Sequence, residues 1–316
     1  MIHILSEMLS FTDMFPDAIR KIRDSAVYDE AELEDDREMV AALGKYDVIV
    51  TCSQHFWTEE VFSKATRTRL LIRVGKGVDN VNIHAARKYG IKVANTGSSN
   101  AGAVAEHTMA LILASTHNLP ESDRQLHEGD WEHIRQMHEL RELTIGLAGF
   151  GAIPQTVAVM LRGFAPKSVI AYDPFADFND AERLNVEIVD FPELLRRSDI
   201  ISVHVPLLSD TYHMFDRTAF SKMKDEVIFI SIARGGLVDE EALYSALCSG
   251  KVSWAGMDVF EQEPLPADNK LLTLPNVFGT PHSAAHTYAA SQETTRIAIE
   301  ELFQYLNGEE VQNIVN

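Results

Sequence analysis

Cysteine is scarce in this chain. The 316 residues contain two, Cys52 and Cys248, far apart in sequence. That excludes a disulfide framework and fits a reducing compartment. Basic residues are also few: 28 lysines and arginines face 47 acids, for a formal net charge of −19. Nucleic acid and anionic membrane both require basic surface, so neither is expected as a partner. An anionic ligand would need a local basic pocket. No apolar run approaches the ~20 residues of a membrane helix. Met1-Ile2-His3-Ile4-Leu5 has no basic segment leading into a long apolar core, so no secretion signal is expected and the location reads as cytoplasmic. Internal repeats and low-complexity tracts are missing too. What is present is 46% hydrophobic and 24% charged residues, a globular balance with length enough for two domains.

The most informative segment is 144–173. An apolar run, Thr144-Ile145-Gly146-Leu147-Ala148, ends in Gly149-Phe150-Gly151-Ala152-Ile153-Pro154. A helix-like stretch follows over 155–164, and a second apolar run, 168–172, ends in Asp173. A strand turning tightly into a helix aims backbone N–H groups and the positive helix end at one point, which suits a pyrophosphate. Asp173 would sit where a ribose 2′-hydroxyl needs an acceptor, and its charge would repel a 2′-phosphate, favouring NAD over NADP. Two glycines alone are a weak signal, but strand, helix and an acid about 20 residues on supply its context. Pro154 stands where a third glycine is usual. Proline is tolerated in the first helical turn, so the expectation is a slightly shifted helix with an intact phosphate turn.

The remaining chain alternates strand and helix, which implies parallel sheets covered by helices. In the first third, strands are expected at 2–5, 47–51, 70–74 and 91–94, with helix-like segments at 30–43, 58–65 and 80–89. A long helix, 101–117, is small and apolar on most faces and is expected to be buried between two units. Segment 118–143 is polar and carries His127, His133 and His138; their spacing is not that of a metal-binding pair, and it reads as a solvated arm or interface element, with no metal expected. Further strands are expected at 200–204, 227–231, 252–257 and 277–279. A helix over 240–248 has Asp239 as N-cap and Gly250 as a stop. The last segment, 289–306, is amphipathic, with Ile297, Leu302, Phe303 and Leu306 on one stripe. It could pack back on the first unit.

Carboxyl ends of parallel strands line ligand crevices. Past 228–233 comes Arg234-Gly235-Gly236, a guanidinium that offers a planar fork to a carboxylate or else makes a surface salt bridge. Past 256–260 comes Glu261-Gln262-Glu263-Pro264, and past Thr280-Pro281 comes His282. A carboxylate beside an imidazole would orient the ring for acid–base work near neutral pH. In the first third, Gly75-Lys76-Gly77 follows an expected strand, and its glycines free backbone N–H groups to approach a small anion; an ordinary glycine turn is the alternative.

Taken in order, Gly77-Val78-Asp79-Asn80, Val104-Ala105-Glu106-His107, Gly149-Phe150-Gly151, Asp173-Pro174, His204-Val205-Pro206-Leu207, Ala233-Arg234-Gly235-Gly236-Leu237-Val238-Asp239-Glu240, Gly256-Met257-Asp258-Val259-Phe260-Glu261 with Glu263-Pro264, and Thr280-Pro281-His282 resemble the D-isomer-specific 2-hydroxyacid dehydrogenase family. The resemblance covers nearly the whole chain. It implies an α/β fold of two domains: a Rossmann doubly wound parallel sheet over 98–285 that binds NAD, and a smaller flavodoxin-like substrate domain from 1–97 and 286–316. It implies hydride exchange between nicotinamide C4 and C2 of a small 2-oxo or 2-hydroxy acid, with His282 as acid–base group, Glu263 holding it, and Arg234 gripping the acid. Lys76 and Gly77 would bind the substrate carboxylate through backbone N–H groups. Gly149, Gly151, Ala152, Ile153, Asp173, Val205, Pro206, Thr211, Ile232, Ala233, Asp258 and His282 would contact the cofactor, Asp258 through the nicotinamide amide. A homodimer joined through the nucleotide domain is implied, with 118–143 fitting that contact. Relatives with phosphorylated substrates place arginine after the strand 47–51; here Cys52-Ser53-Gln54-His55-Phe56-Trp57 has no fixed cation and suits a small or partly apolar substrate. Lys76 would serve a second anionic group or point to solvent. Glu263 speaks against formate dehydrogenase chemistry. The alternative function is an NADH-sensing, corepressor-like interaction protein of the same fold.

Overall fold

The computed structural model describes residues 1–52, 55–132 and 136–316. Contacts divide the chain into two compact units, Met1–Asn100 with Thr287–Asn316, and Ala101–His286. The seams fall slightly C-terminal of those read from the sequence.

The first unit carries five parallel strands: β1 (Ile2–Ser6), β2 (Ala26–Glu30), β3 (Val48–Thr51), β4 (Leu70–Arg73) and β5 (Lys92–Asn95). Their order is β2-β1-β3-β4-β5, the flavodoxin-like winding. Every residue of β3 is buried, as expected for a parallel strand covered on both faces. Strand β2 and the helix Pro16–Ser25 were not anticipated. The expected helix start at Glu30 is wrong: Glu30 ends β2, and its carboxylate accepts from Thr12 and Tyr28. The helix begins at Asp36, after Asp35 caps the N–H groups of Arg37 and Glu38. Likewise 80–89 shrinks to Ile83–Lys88, because Asn82 caps Ala85. The helix Tyr288–Asn307 returns to this unit, where Ala298, Ile299 and Leu302 join Ile4, Ile19 and Ile72 in one core. Its buried face also runs through Thr294 and Thr295, while Ile297 and Phe303 are only half-buried. Of the expected stripe, Leu302 is in the core and Phe303 and Leu306 pack against it, so the buried face is widened by Thr294, Thr295 and Ala298 and loses only Ile297.

The second unit holds seven parallel strands: β6 (Thr144–Ala148), β7 (Ser168–Tyr172), β8 (Glu187–Ile188), β9 (Ile200–Val203), β10 (Val227–Ser231), β11 (Val252–Met257) and β12 (Val277–Gly279). The order is β12-β11-β10-β9-β6-β7-β8, doubly wound, with winding reversing between β6 and β9. The two-residue β8 was not anticipated. Helix Ala101–Thr116 belongs to this unit, with Leu111 and Ile112 in one core with Ile145, Ile230 and Trp254. Of the polar arm, Leu119–Glu128 is helical and buries none of its residues, and Leu140–Glu142 is a single 3-10 turn. Of its three histidines, His133 lies outside the described residues.

Candidate active site

The winding reversal brings the ends of β6 and β9 together, and Gly149 sits at that join with φ +105°. A Cβ there would stand 2.9 Å from the carbonyl carbon of His204 and 3.0 Å from the nitrogen of Val205. Only glycine fits, because backbone cannot yield as a side chain can. Gly151 differs. Its φ is −79°, and a Cβ would meet no described atom within 4 Å. The fold itself does not demand this glycine, and its missing side chain leaves the turn open to the close approach of a group. The helix Ala152–Leu161 starts directly after it, three residues before the expected position. No side chain among the described residues caps it and no acid lies in its first turn, so the N–H groups of Ala152 and Ile153 have no intrahelical acceptor. Pro154 is buried in that first turn, where its missing N–H breaks no helix bond; the ladder opens with Gln155 N donating to Gly151 O at 3.1 Å. At the tip of β7, Asp173 accepts from the N–H of Phe150 (2.9 Å) and of Phe175 (2.9 Å). Its carboxylate therefore fastens the glycine turn and retains acceptor sites for a diol. An uncapped helix end, an unforced glycine and a strand-tip acid together fit a dinucleotide.

On the other side of the reversal, Glu263 follows β11 and His282 follows β12. His282 Nδ1 bonds Glu263 Oε2 at 2.6 Å, so Nδ1 donates to the carboxylate and Nε2 is the nitrogen left for proton exchange. His282 has φ +49°, an uncommon conformation for a residue with a Cβ. It is held there by its own N–H, shared between the carbonyls of Asp258 (2.8 Å) and Thr280 (3.0 Å). Beneath it lies Asp258, 1% exposed. Its Oδ1 accepts from the Thr280 hydroxyl (2.5 Å) and Ser283 N–H (2.8 Å), and its Oδ2 from Ala284 N–H (3.0 Å). A carboxylate has about four acceptor positions, so most of this one is occupied by the turn that presents His282. The family resemblance implies a role for Asp258 toward the nicotinamide amide, and the sequence reading missed this organising role. It also missed His107, whose Nε2 stands 2.8 Å from the Thr280 hydroxyl. Because that hydroxyl's single proton goes to Asp258, His107 Nε2 must donate.

Arg234 follows β10, with Nη1 donating to the Ala233 carbonyl at 2.6 Å. A Cβ at Gly235 would fall 1.9 Å from the carbonyl oxygen of Phe260, so the Arg234 and Glu263 loops touch backbone to backbone. Burial pushes the Glu263 carboxyl up. The hydrogen bonds from His282 and the Phe260 N–H, with the charges of His282 and Arg234, outweigh burial and hold it below its ordinary value. Glu263 is an anion between two cation-forming side chains.

Of the expected cofactor wall, Val205 and Ile232 are buried, Ala233 is half-buried and Pro206 is exposed. The Thr211 hydroxyl donates to Pro206 O (2.6 Å) and accepts from Leu208 N (2.8 Å), so it folds its own loop. His204, whose Nε2 lies 2.9 Å from the Ser202 hydroxyl, is pushed down to about 3 by burial and stays neutral.

Lys76 and Gly77 lie on the first unit, in the loop after β4. Lys76 is exposed, and its carbonyl accepts from Asn95 Nδ2 at 2.7 Å. Gly75, φ +113°, donates to Thr96 Oγ1 at 2.7 Å. In the loop after β3, Ser53 and Gln54 lie outside the described residues. Asn80 Nδ2 holds the carbonyls of Cys52 (3.1 Å) and His55 (2.7 Å). His55 Nε2 is 3.1 Å from Glu7, a buried acid whose carboxyl burial pushes up. Nothing in the sequence marked Glu7; a lone acid after a strand carries no pattern.

These features define an NAD-type α/β unit bearing an imidazole–carboxylate pair. The family model described as "D-isomer specific 2-hydroxyacid dehydrogenase, NAD binding domain" matches residues 109–284. The chain is 42% identical over 280 residues to D-3-phosphoglycerate dehydrogenase of Archaeoglobus fulgidus, covering 88% of this chain and 53% of that protein. It is 42% identical over 273 residues to hydroxypyruvate reductase of Thermotoga maritima, covering 85% and 88%. The chain thus spans about half the length of the phosphoglycerate dehydrogenase and most of the reductase. Among solved structures, D-lactate dehydrogenase from Aquifex aeolicus, complexed with NAD and lactic acid, superposes with a TM-score of 0.86 at 28% identity, covering 97% of this chain and 96% of that one. The chain belongs to the D-isomer specific 2-hydroxyacid dehydrogenase family, and NAD is the cofactor of its matched domain.

Proposed function

We propose that the protein is an NAD-dependent D-2-hydroxyacid dehydrogenase that interconverts a small 2-oxo acid and its D-2-hydroxy acid. The observation that carries this reading is the 2.6 Å His282–Glu263 pair, held at the strand ends beside the Arg234 loop. NADH would supply the hydride that reaches C2. Gly149, Gly151, Ala152 and Ile153 would hold its pyrophosphate, Asp173 its ribose, and Val205, Pro206, Thr211, Ile232 and Ala233 its remaining length, with Asp258 offering its last acceptor position to the amide. His282 would give its Nε2 proton to the oxygen forming on C2, and Glu263 would stabilise the imidazolium before transfer. The Arg234 guanidinium would grip the acid and stabilise charge developing on the same oxygen. The Lys76 and Gly77 N–H groups, on the first unit's strand-end loop, are assigned to the substrate carboxylate.

Two further assignments complete the proposal. The helix Leu119–Glu128 buries nothing, and Leu119, Leu126 and Trp131 are exposed, Trp131 at 75%; this apolar surface is assigned to a homodimer contact. Among the described residues no helix is long and apolar enough to cross a membrane, and the net charge of −19 disfavours anionic surfaces; the cytoplasm is the proposed location. The test is NADH oxidation, followed by absorbance, with a panel of unphosphorylated and phosphorylated 2-oxo acids. Turnover on at least one supports the reading. Tight NADH binding without turnover on any would support a nucleotide sensor instead.

A further inference from the structure

The turn Phe260–Glu263 carries two carboxylates, and each meets an imidazole. Glu263 meets His282. Glu261 Oε1 meets Nε2 of His213, a residue that no assignment above uses. His213 is held through both backbone and ring. It has φ +49°, its ring stacks on Tyr212 with centroids 4.0 Å apart and planes 15° apart, and its N–H donates to the Gly236 carbonyl at 2.8 Å. At its start the Phe260 carbonyl lies against Gly235 and Glu261 N–H donates to Glu240 Oε1 at 2.8 Å, and the Phe260 N–H donates to Glu263 Oε1 at 3.0 Å across the turn. Glu240 is braced in turn by Asn269 Nδ2 at 2.9 Å.

We propose that His213 is a positioning residue: by anchoring the Glu261 side chain, it fixes the turn so that Glu263 meets His282 and Arg234 in register. The inference rests on the proposed dehydrogenase reading. His213 also closes a ring of segments: 206–213 from the cofactor wall, Arg234-Gly235-Gly236 from the substrate grip, and 260–263 from the acid–base pair. With the ring removed, Glu261 swings to solvent and Glu263 loses its fixed approach to His282. Displacements of about 1 Å at a reacting group lower rates by up to about a hundredfold. A carboxylate still held by the Phe260 N–H, 3.0 Å from Oε1, would suffer part of that.

The test is a double-mutant cycle. With glyoxylate and hydroxypyruvate as probes, His213→Ala is expected to lower kcat about tenfold, with KM and the NADH dissociation constant, read by nucleotide fluorescence, within about threefold. His213→Gln, which can present an N–H at similar reach, restores most of the loss. In a Glu263→Gln background, His213→Ala changes kcat less than about twofold, because the group it positions is already gone. Equal losses in both backgrounds, or a loss that tracks NADH affinity or the thermal midpoint, overturns the inference. If His213→Ala fails to fold, Glu261→Gln enters the same cycle. Absence of turnover in the unsubstituted protein on every 2-oxo acid of the panel overturns the dehydrogenase reading and this inference together; turnover with additive losses overturns the inference alone.

Discussion

The two parallel sheets secure their carboxyl ends by different means. In the second unit the loops are locked backbone to backbone, Gly149 against His204 and Gly235 against Phe260, and a buried Asp258 pins the turn that presents His282. In the first unit the corresponding loops are not jammed backbone against backbone; beside backbone bonds such as Trp57 N–H to Asn80 O (2.7 Å), they use side-chain amides and a hydroxyl: Asn80 holds Cys52 and His55, Asn95 holds Lys76, and Thr96 holds Gly75. Backbone locks admit no substitution, whereas side-chain ties can be exchanged. Under the proposed assignment, the acid–base pair and Arg234 sit on the locked sheet, and the Lys76–Gly77 carboxylate contact sits on the adjustable one.

The sharpest way to break this contrast is to fill a lock. Gly235→Ala drives a methyl into the Phe260 carbonyl and is expected to destabilise the protein by about 3 kcal/mol or more in urea unfolding. Asn95→Ala, which releases one tie to Lys76, should remove only about 1 kcal/mol. Equal losses would erase the distinction. Within the second unit, Gly151→Ala is expected to leave stability within about 0.5 kcal/mol because its Cβ meets nothing in the chain, yet to weaken NADH binding about tenfold in fluorescence titration. Unchanged affinity would remove the ligand-based reason for that glycine. Asp173→Ala should raise the kcat/KM ratio for NADPH over NADH about tenfold. A fixed ratio would show that the acid, which also binds the N–H of Phe150, serves only the turn.

Two acids, one in each unit, respond to pH in opposite senses. Glu263 is held below its ordinary value, so its stabilising contribution is present above the unfolded carboxylate pKa and disappears as pH falls through the lower folded value. Glu301 in the first unit behaves in the opposite sense. It is 1% exposed, takes one bond from Asn313 at 2.9 Å, and is raised by burial from 4.5 to about 7. The folded state favours its protonated form, so stability falls as pH rises from 4.5 to about 7. Glu301→Gln should therefore stabilise the protein by about 1 kcal/mol at pH 8 and by nearly nothing at pH 4. A pH-independent difference in denaturant unfolding would contradict the buried-charge account.

Legibility cut across this division, since each sheet hid one strand from the sequence. In the second unit, buried five- and six-residue strands such as Val227–Ser231 and Val252–Met257, and the capped helix Glu240–Cys248, announce themselves through continuous apolar runs and an N-cap acid. The two-residue Glu187–Ile188 is too short for any pattern. In the first unit, β2 ends in Asp-Glu on a sheet edge, and that polarity reads as helix until its pairing with β1 is seen. The residues of the acid–base pair were visible as polar positions after strand-like runs. Their supports were not. His107 lies 173 residues before Thr280 and His213 lies 48 before Glu261, so only the folded chain brings them together. The organising role of Asp258 was hidden for the same reason: its partners, the Thr280 hydroxyl and the N–H groups of Ser283 and Ala284, lie 22 to 26 residues on.

The central claim is that His282 acts on the reacting oxygen of the substrate. The direct measurement is single-turnover NADH oxidation by His282→Ala beside NADH affinity on the same sample. The account predicts a rate lower by about a hundredfold or more, with the dissociation constant within about threefold. Parallel losses in rate and affinity, or a rate near that of the unsubstituted protein, would contradict it.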